Sequence, residues 1–185
     1  MRDLFQLKST AFDDVVLRTA TEENSESLRQ WKNANRALFF FQGLITPEGQ
    51  NEWFKAYLDR ANDYMFLVCS EDLAIGSMGF RLLQGHADIY NVILGLRAMG
   101  GKGRMAKAMR LMCSFIHSDF TPHMGVKVLR SNPAAIAWYL ENGFTEVARH
   151  DEFLELQVSL SEFQPCGFKK LAYPKEVLAK KKRGA

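Results

Sequence analysis

The sequence predicts an α/β fold, in which a mixed sheet carries helices on its faces. Short β-branched or apolar runs recur along the chain, and between them lie segments whose apolar residues repeat every three or four positions. The 185 residues, 47% of them hydrophobic, suffice for one core and are too few for two ordinary domains. We therefore expect one domain over residues 15–163, between an N-terminal tail (1–14) and a C-terminal extension (164–185).

The first half of the chain predicts a strand, two helices and a three-stranded meander. The strand is VVLRT, and Thr21 caps the helix that follows, whose first turn is acidic. Thr46 and Pro47 begin the second helix. The apolar runs YMFLVCS and LAIGSMGFRLL flank Glu71 and Asp72, as in a hairpin, and ADIYNVILGL adds the third strand of the meander.

The second half predicts two more helices, a strand between them and a final pair of strands. From Gly103 onward, apolar residues recur at helical spacing as far as Ile116. The strand MGVKVLR separates this helix from NPAAIAWYLENGF, which begins at an Asn-Pro cap and ends at Gly143. With FTEVAR and FLELQVSL as the last strands, the expected order is β-α-α-β-β-β-α-β-α-β-β.

Composition narrows the class of function. The net charge of +3 suits an anionic small molecule and falls short of the basic surface of a nucleic-acid binder. No apolar run approaches the ~20 residues that span a bilayer, and the N-terminus lacks a signal-peptide core. The three cysteines are odd in number and far apart, as in a reducing compartment, and no His, Cys or Asp spacing resembles a metal site. We expect a cytoplasmic protein without a metal, membrane or nucleic-acid partner; a homodimer stays open.

The stretch LRAMGGKGRMAKAM places glycines at the start of a predicted helix. Several main-chain N–H groups converge at a helix N-terminus, which favours an anion such as phosphate. Gly101 and Gly103 allow the backbone to approach a bulky pyrophosphate, and Lys102 and Arg104 add positive charge. The spacing matches neither the dinucleotide fingerprint nor the nucleoside-triphosphate loop. A loop that merely caps the helix is the alternative.

This glycine stretch, together with NPAAIAWYLENGF one strand further on, resembles the GNAT superfamily of N-acetyltransferases. The resemblance covers roughly residues 15–160 and implies the GNAT fold, with acetyl-CoA as co-substrate. It implies that GKGRMAKAM binds the pyrophosphate, that Asn132 and Tyr139 lie beside the pantetheine arm and thiol, and that the backbone near Asn91 pairs with the pantetheine amides. The residues it implies for cofactor binding are Asn91, Ile93, Arg97, Gly101, Lys102, Gly103, Arg104, Met105, Ala106 and Asn132.

Two positions depart from the family's loop pattern, which has the form Q/R-x-x-G-x-G/A. Gly100 stands where the family has Gln or Arg, and Met105 stands where it has Gly or Ala. We expect Arg97 to supply the missing cation, and the larger Met105 to be the point where the phosphates are crowded. These departures concern the affinity for acetyl-CoA more than the fold.

Acetyl transfer to an amine requires a neutral amine, a polarised carbonyl and a proton for the departing thiolate. The resemblance implies that Tyr139, four residues before Gly143, donates that proton; a core tyrosine is the alternative. Asp88 is the expected base, although strict alternation places it on the face opposite Ile93 unless a bulge intervenes. Deprotonation through water is the alternative to Asp88.

The acceptor side is indicated by the segment LRQWKNANRALFFFQGLITPEGQNEWFKAYL. It resembles a GNAT branch with a W-[RK]-N signature, which includes enzymes that acetylate nucleotide-linked amino sugars. The resemblance implies an aromatic wall with a few polar groups, which suits a sugar or a nucleobase. Its expected members are Trp31, Lys32, Asn33, Phe39, Phe40 and Phe41. Core packing of these aromatic residues is the alternative.

For function, we expect an N-acetyltransferase that acts on the primary amine of a small molecule, with a nucleotide-linked amino sugar as acceptor. A protein N-terminal (ribosomal-protein-type) or small-amine acetyltransferase is the competing enzyme, and an extended protein chain needs an open groove. A non-catalytic acyl-CoA-binding module is the alternative of another class, because Gly100 and Met105 depart from the family's loop.

Overall fold

Nine strands form one mixed sheet in the structure, a computed structural model that describes residues 3–173. The strands are β1 (Phe5–Ser9), β2 (Val16–Thr19), β3 (Asp63–Ser70), β4 (Leu73–Leu83), β5 (His86–Leu94), β6 (Met124–Leu129), β7 (Phe144–Arg149), β8 (Phe153–Val158) and β9 (Phe168–Ala172). The α-helices of this part of the chain are α1 (Ser25–Ala34), α2 (Pro47–Asp59), α3 (Arg104–Asp119) and α4 (Pro133–Glu141).

Side-chain caps fix the start of two helices where the sequence predicts them. Thr46 accepts a hydrogen bond from the Gly49 N–H at 3.1 Å and so begins α2. Asn132 accepts one from the Ala135 N–H at 3.2 Å and begins α4. A proline follows each cap at the first helical position, where its missing N–H costs nothing.

The sheet opens in its middle, between β5 and β6. The strand order is β7-β8-β6-β5-β4-β3-β2-β1-β9, and β5 and β6 run parallel. Their pairing joins only residues 87–89 to residues 124–126, although β5 continues to Leu94 and β6 to Leu129. The two strands therefore diverge, and the main-chain groups of β5 beyond this point that face β6 are left without a partner strand.

A β-bulge at Asn91 shifts the phase of β5. Asn91 and Val92 together lie opposite a single residue of β4, and Asn91 has a φ of 50°. Three residues of β5 pair with alternate residues of β4 and so share one face: Asp88 (with Arg81), Tyr90 (with Gly79) and Ile93 (with Ser77). The bulge thus brings Asp88 to the face of Ile93, which strict alternation does not allow.

Helices cover the sheet and enclose two apolar clusters. The larger cluster includes Met109 and Phe115 of α3 and Tyr139 of α4. The smaller one includes Leu28 of α1 and Phe54 of α2. Residues of β3 alternate between the clusters, with Phe66 in the larger and Met65 in the smaller, so the two pairs of helices cover opposite faces of the sheet.

The observed order agrees with the expected one from β2 to β8, and two further strands at one end of the sheet, β1 and β9, are added to it. β1 and β9 pair with each other, within the segments assigned above to the tail (1–14) and the C-terminal extension (164–185). β9 shows no apolar alternation, because Lys169 and Lys170 are adjacent and exposed, as is common at a sheet edge. β1 is only five residues long, although Phe5 and Leu7 are buried. Residues 1–2 and 174–185 lie outside the described part of the chain.

Three further findings concern the rest of the described chain. The cysteines Cys69, Cys113 and Cys166 are buried free thiols. Within residues 3–173, no helix is long and apolar enough to cross a membrane. The same residues contain no group of three or more His, Cys, Asp or Glu side chains placed to hold a metal ion.

Candidate active site

The glycine stretch forms a tight loop at the N-terminus of α3. Gly101 and Gly103 have φ values of 78° and 67°, which other residue types rarely adopt. Gly103 is the N-cap, and the Lys107 N–H donates to the Gly103 carbonyl at 3.0 Å. The N–H groups of the first turn of α3, before Lys107, therefore have no partner within the helix, and that turn contains no acidic residue. This arrangement favours an anion.

Arg104 is the cation placed beside this loop. Together with the loop it lines a cavity of about 500 Å³, here called the loop cavity. Its Nη1 donates to the Met99 carbonyl at 3.2 Å, and its Nε is buried without a partner among the described residues. A buried unpaired donor costs about 1–3 kcal/mol, which a phosphate oxygen offsets. Lys102 is exposed and does not line the cavity, and Lys107 pairs with Asp14 at 2.8 Å.

The two departures from the family pattern, Gly100 and Met105, do not block the loop. A Cβ added at Gly101 or Gly103 meets no atom within 4 Å, so the space beside the loop is open. Met105 packs against the larger core cluster while also lining the loop cavity. A Cβ at Gly100 lies 3.0 Å from the Leu94 side chain, which leaves little space for the longer residues of the family. The residues present fit a pyrophosphate group.

A second cavity continues from the loop cavity into the opening of the sheet. This cleft cavity, of about 500 Å³, lies between the diverging ends of β5 and β6. The two cavities share the residues Val92, Leu94, Ala135 and Tyr139. Arg97 and Asn132 also line the cleft cavity. A continuous path therefore leads from the anion site along the unpaired part of β5.

A third cavity lies on the other side of β5, beneath α1 and α2. This helix cavity has a volume of about 440 Å³, and most of its lining is apolar, with Leu28, Ile45 and Trp53 among the residues. It shares four residues with the cleft cavity: Lys32, Phe41, Asn91 and Ile93. Both cavities thus meet at the bulge of β5.

Tyr139 lies where the loop and cleft cavities join. Its ring packs edge-on against Trp138 and Phe144, which fixes the direction of the side chain. Burial raises the pKa of the Tyr139 phenol, so the group is protonated at neutral pH. No hydrogen bond to its hydroxyl is found among the described residues. A phenol in this position can donate a proton into the cavity.

Asp88 also lines the cleft cavity, at the far end from the glycine loop. Burial raises the pKa of its carboxyl group, while the neighbouring charges of His86, Lys127 and Arg81 oppose that shift. The carboxylate is therefore a stronger base than an exposed aspartate. The bulge places it on the same face as Ile93, so the geometric objection to Asp88 does not hold in this structure.

The aromatic run of the 35–46 segment, which connects α1 to α2, covers the cleft cavity. Phe39, Phe40 and Phe41 all line it, and Phe40 and Phe41 are 54% and 61% exposed. The Phe40 ring contacts Phe153 of β8, with ring centroids 5.6 Å apart. The segment therefore reaches across the cleft, from the α1 side of the molecule to β8.

Trp31 and Asn33 line none of these three cavities, which corrects their expected place in the acceptor wall. Trp31 packs against Gly95 so closely that a Cβ there would lie 2.2 Å from the indole ring. Asn33 exchanges two hydrogen bonds, each 2.9 Å long, with the main chain of Ile45. Both side chains hold α1 and the 35–46 segment in place.

Lys32, between them in sequence, does line the cleft and helix cavities. It lies four residues after the buried Leu28, so helical spacing was the available signal for its inward position. Its Nζ lies 2.6 Å from Asn91 Oδ1 and 3.2 Å from the centroid of the Phe39 ring. Burial lowers the pKa of Lys32 to about 8.

A buried ionic network beneath the cleft was not visible in the sequence. Asp63, which is fully buried, accepts hydrogen bonds from Arg60 and Arg81 and from the hydroxyl of Tyr90. Tyr90 lines the cleft cavity. Arg60, which directly follows α2, and residues of β3, β4 and β5 meet in this network, and their distance in sequence hides the association.

The chain matches the family model of the acetyltransferase (GNAT) domain over residues 14–145. Among proteins of curated function, no sequence matched the chain significantly. A spermidine N-acetyltransferase from Vibrio cholerae, in complex with CoA and spermine, has a similar structure. Its TM-score is 0.69 and its identity 16%, over 81% of this chain and 98% of that chain.

Two other solved structures have the same fold and different acceptors. FdhC, a nucleotide-linked sugar GNAT, has a TM-score of 0.68 and 17% identity, over 92% of this chain and 94% of that chain. RimL, a ribosomal L7/L12 α-N-protein acetyltransferase in complex with CoA, has a TM-score of 0.62 and 18% identity. That match covers 78% of this chain and 91% of the other.

The fold and the family match together define an acyl-transferring enzyme. The chain belongs to the GNAT acetyltransferases, whose co-substrate is acetyl-CoA. The resemblance seen in the sequence, the fold class and the enzyme class are confirmed, and acetyl-CoA as co-substrate is confirmed with them.

Proposed function

We propose that this enzyme acetylates the primary amine of an anionic small molecule, with a nucleotide-linked amino sugar as its acceptor. The charge of the cleft cavity carries this proposal. Three basic side chains line it, Lys32, Arg97 and Lys127, against one carboxylate, Asp88, while Lys127 also lies 3.6 Å from the Glu155 carboxylate outside the lining. This balance attracts phosphate groups and repels a polyamine, which carries several positive charges. The similarity to FdhC over 92% of the chain supports the same acceptor class.

The glycine loop, Arg104 and the first turn of α3 hold the pyrophosphate of acetyl-CoA in this proposal. Asn132 and the unpaired backbone of β5 around Asn91 and Ile93 face the pantetheine arm. The co-substrate supplies an acetyl group as a thioester, which an amine can attack. Because this part of β5 has no partner strand on its β6 side, the N–H groups on that side are free to bind amide and carbonyl oxygens.

Tyr139 donates a proton to the departing thiolate. Its position at the junction of the loop and cleft cavities supports this role, since the thiol end of the co-substrate passes that point. A raised pKa keeps the phenol protonated before the reaction. Asp88, at the acceptor end of the cleft cavity, attracts the positively charged amine of the acceptor. It is also the base expected from the sequence.

The covered cleft favours a small acceptor over a protein N-terminus. Phe40 contacts Phe153, so the 35–46 segment crosses the space that an extended peptide needs. The aromatic side chains Phe39 and Phe41 offer flat apolar faces for a sugar or a nucleobase. The buried free thiols Cys69, Cys113 and Cys166 support a reducing, cytoplasmic setting.

Release of free CoA thiol tests the acceptor class directly. The purified enzyme receives acetyl-CoA with, in parallel, UDP- and dTDP-linked amino sugars, spermidine, and a peptide with a free N-terminus. We expect the highest kcat/KM with a nucleotide-linked amino sugar, and a product heavier by one acetyl group. Preference for spermidine or for the peptide contradicts the proposal.

A pair of charge reversals checks the electrostatic argument. Lys127→Glu changes a residue of the cleft cavity and raises the KM for the nucleotide-linked acceptor about fivefold, the effect of ~1 kcal/mol. Lys55→Glu makes the same change at an exposed position of α2 that lines none of the three cavities, and it leaves that KM as in the wild type.

A further inference from the structure

Lys32 occupies an unusual position for a lysine. It lines both the cleft cavity and the helix cavity, and it is partly buried. Its hydrogen-bond partner is the neutral amide oxygen Asn91 Oδ1, at 2.6 Å. No ion pair of Lys32 is found within residues 3–173. For a molecule in either cavity, the ammonium form of Lys32 offers its remaining N–H donors, and the neutral form offers a lone pair.

Asn91 holds this amine at a defined point of β5. The bulge sets its backbone, and the Ser77 hydroxyl donates to its carbonyl at 3.1 Å. The Asn91 side chain then extends to Lys32 on α1. The amine therefore sits beside the strand segment that faces the acetyl group in the proposed function.

We propose that Lys32, and not Asp88, is the catalytic base: its neutral amine takes a proton from the ammonium form of the acceptor. This proposal rests on acetyl transfer in the cleft cavity, as set out above. The freed acceptor nitrogen then forms a bond to the thioester carbon, and the carbon–sulfur bond breaks. Tyr139 protonates the departing thiolate and regains a proton from the attacking nitrogen. Lys32 releases its proton to solvent, so each turnover yields the amide, free CoA and one proton.

The charges around Lys32 are consistent with this role. Burial lowers its pKa to about 8, so an appreciable fraction is neutral near neutral pH. On α1, Arg29 is engaged by Glu26. The α2 residues that line the helix cavity are uncharged. The remaining titratable groups that line the two cavities are Asp88 and Tyr90 of β5, Arg97, Lys127 of β6 and Tyr139 of α4.

Two substitutions of Lys32 distinguish a role as proton acceptor from a role as a fixed positive charge. Lys32→Arg keeps the positive charge but cannot become neutral, and Lys32→Met removes both properties. We expect both variants to lose about 100-fold in kcat, with the amine that the wild type acetylates best, and to bind acetyl-CoA as the wild type does. Wild-type turnover by Lys32→Arg overturns the proposal.

Asn91→Asp gives a second, directional test. A carboxylate beside Lys32 stabilises its ammonium form, so the acidic limb of the kcat/KM profile moves up by about one pH unit. Asn51→Asp, the same change at an exposed position of α2, leaves the limb where it is. A limb that Asn91→Asp does not move, in an active enzyme that binds acetyl-CoA, overturns the proposal for Lys32 alone. A wild-type chain that acetylates no amine overturns both this proposal and the proposed function.

Discussion

At the scale of the residue, burial acts on two ionisable side chains of the cleft cavity, Tyr139 and Lys32. Burial disfavours charge, so the pKa of the phenol rises and that of the amine falls to about 8. The phenol is therefore protonated at neutral pH, and the amine loses its proton more readily than an exposed lysine does. In the proposed mechanism, one physical cause thus supplies both the proton donor and the proton acceptor.

Tyr139→Phe removes the hydroxyl and keeps the packed ring. We expect kcat to fall about 100-fold, because a general acid contributes roughly that factor. Binding of acetyl-CoA, measured by calorimetric titration, stays near the wild-type value. Tyr173→Phe removes a hydroxyl from another buried tyrosine that lines none of the three cavities, and serves as the control. Unchanged turnover in Tyr139→Phe contradicts the role of this residue.

The depressed pKa of Lys32 also makes stability depend on pH. Folding lowers this pKa from 10.5 to about 8, so between those values the unfolded chain binds more protons than the folded one. Stability contributed by this group is therefore lowest below pH 8 and rises up to about pH 10.5.

Urea unfolding of the wild type and of Lys32→Met measures this effect. The free energy of unfolding of the wild type, taken relative to Lys32→Met, increases with pH across that window. A difference that stays constant from neutral pH to pH 10.5 means that Lys32 is not buried as the structure describes.

At the scale of the element, the glycine loop combines backbone strain with binding. Gly101 and Gly85 have φ values of 78° and 82°, and a Cβ at either meets no atom within 4 Å. Alanine at each position therefore costs about 1–2 kcal/mol of stability through the backbone alone. Gly85 lies in the turn between β4 and β5 and lines none of the three cavities.

The two alanine variants separate these contributions. We expect Gly101→Ala and Gly85→Ala to lower the free energy of unfolding by similar amounts. Only Gly101→Ala weakens acetyl-CoA binding, because its methyl group enters the space beside the loop. Equal affinities in the two variants argue against the loop as the pyrophosphate site.

Local chemistry explains which elements the sequence predicted. The caps Thr46 and Asn132 act on residues three positions away, so their effect is readable from the sequence. The bulge at Asn91 depends on register with β4, and the contact of Lys32 with Asn91 depends on how α1 packs against β5. Asp63 and Tyr90 are 27 residues apart and meet only through the sheet. These features belong to tertiary structure, which periodicity does not report.

At the scale of the whole molecule, the two termini of the described chain complete the sheet. β9 pairs with β1 along its full length, and Cys166 and Tyr173 are buried. The sequence predicted β2 to β8 because each apolar run there is long or clearly periodic. β1 and β9 are short strands: β9 is at the edge of the sheet, and β1 lies between β2 and β9. Their stability comes from pairing with these neighbours, so their own composition is weak evidence.

Truncation tests this role of the termini. A chain ending at residue 163 loses β9 and exposes the edge of β1, and we expect a lower midpoint of thermal unfolding and a tendency to aggregate. A chain ending at Tyr173 keeps the strand, and we expect its midpoint to lie above that of the shorter chain. Equal midpoints for the two truncated chains contradict a structural role for β9.

The opening of the sheet at β5 divides the proposed site between two parts of the chain. In the proposed function, residues before β3 line most of the helix cavity on the acceptor side, and the glycine loop after β5 holds the co-substrate. Substitutions confined to the first part then alter which amine fits and leave the loop for acetyl-CoA unchanged. On this proposal, a change in one contiguous stretch of the gene suffices to change the acceptor.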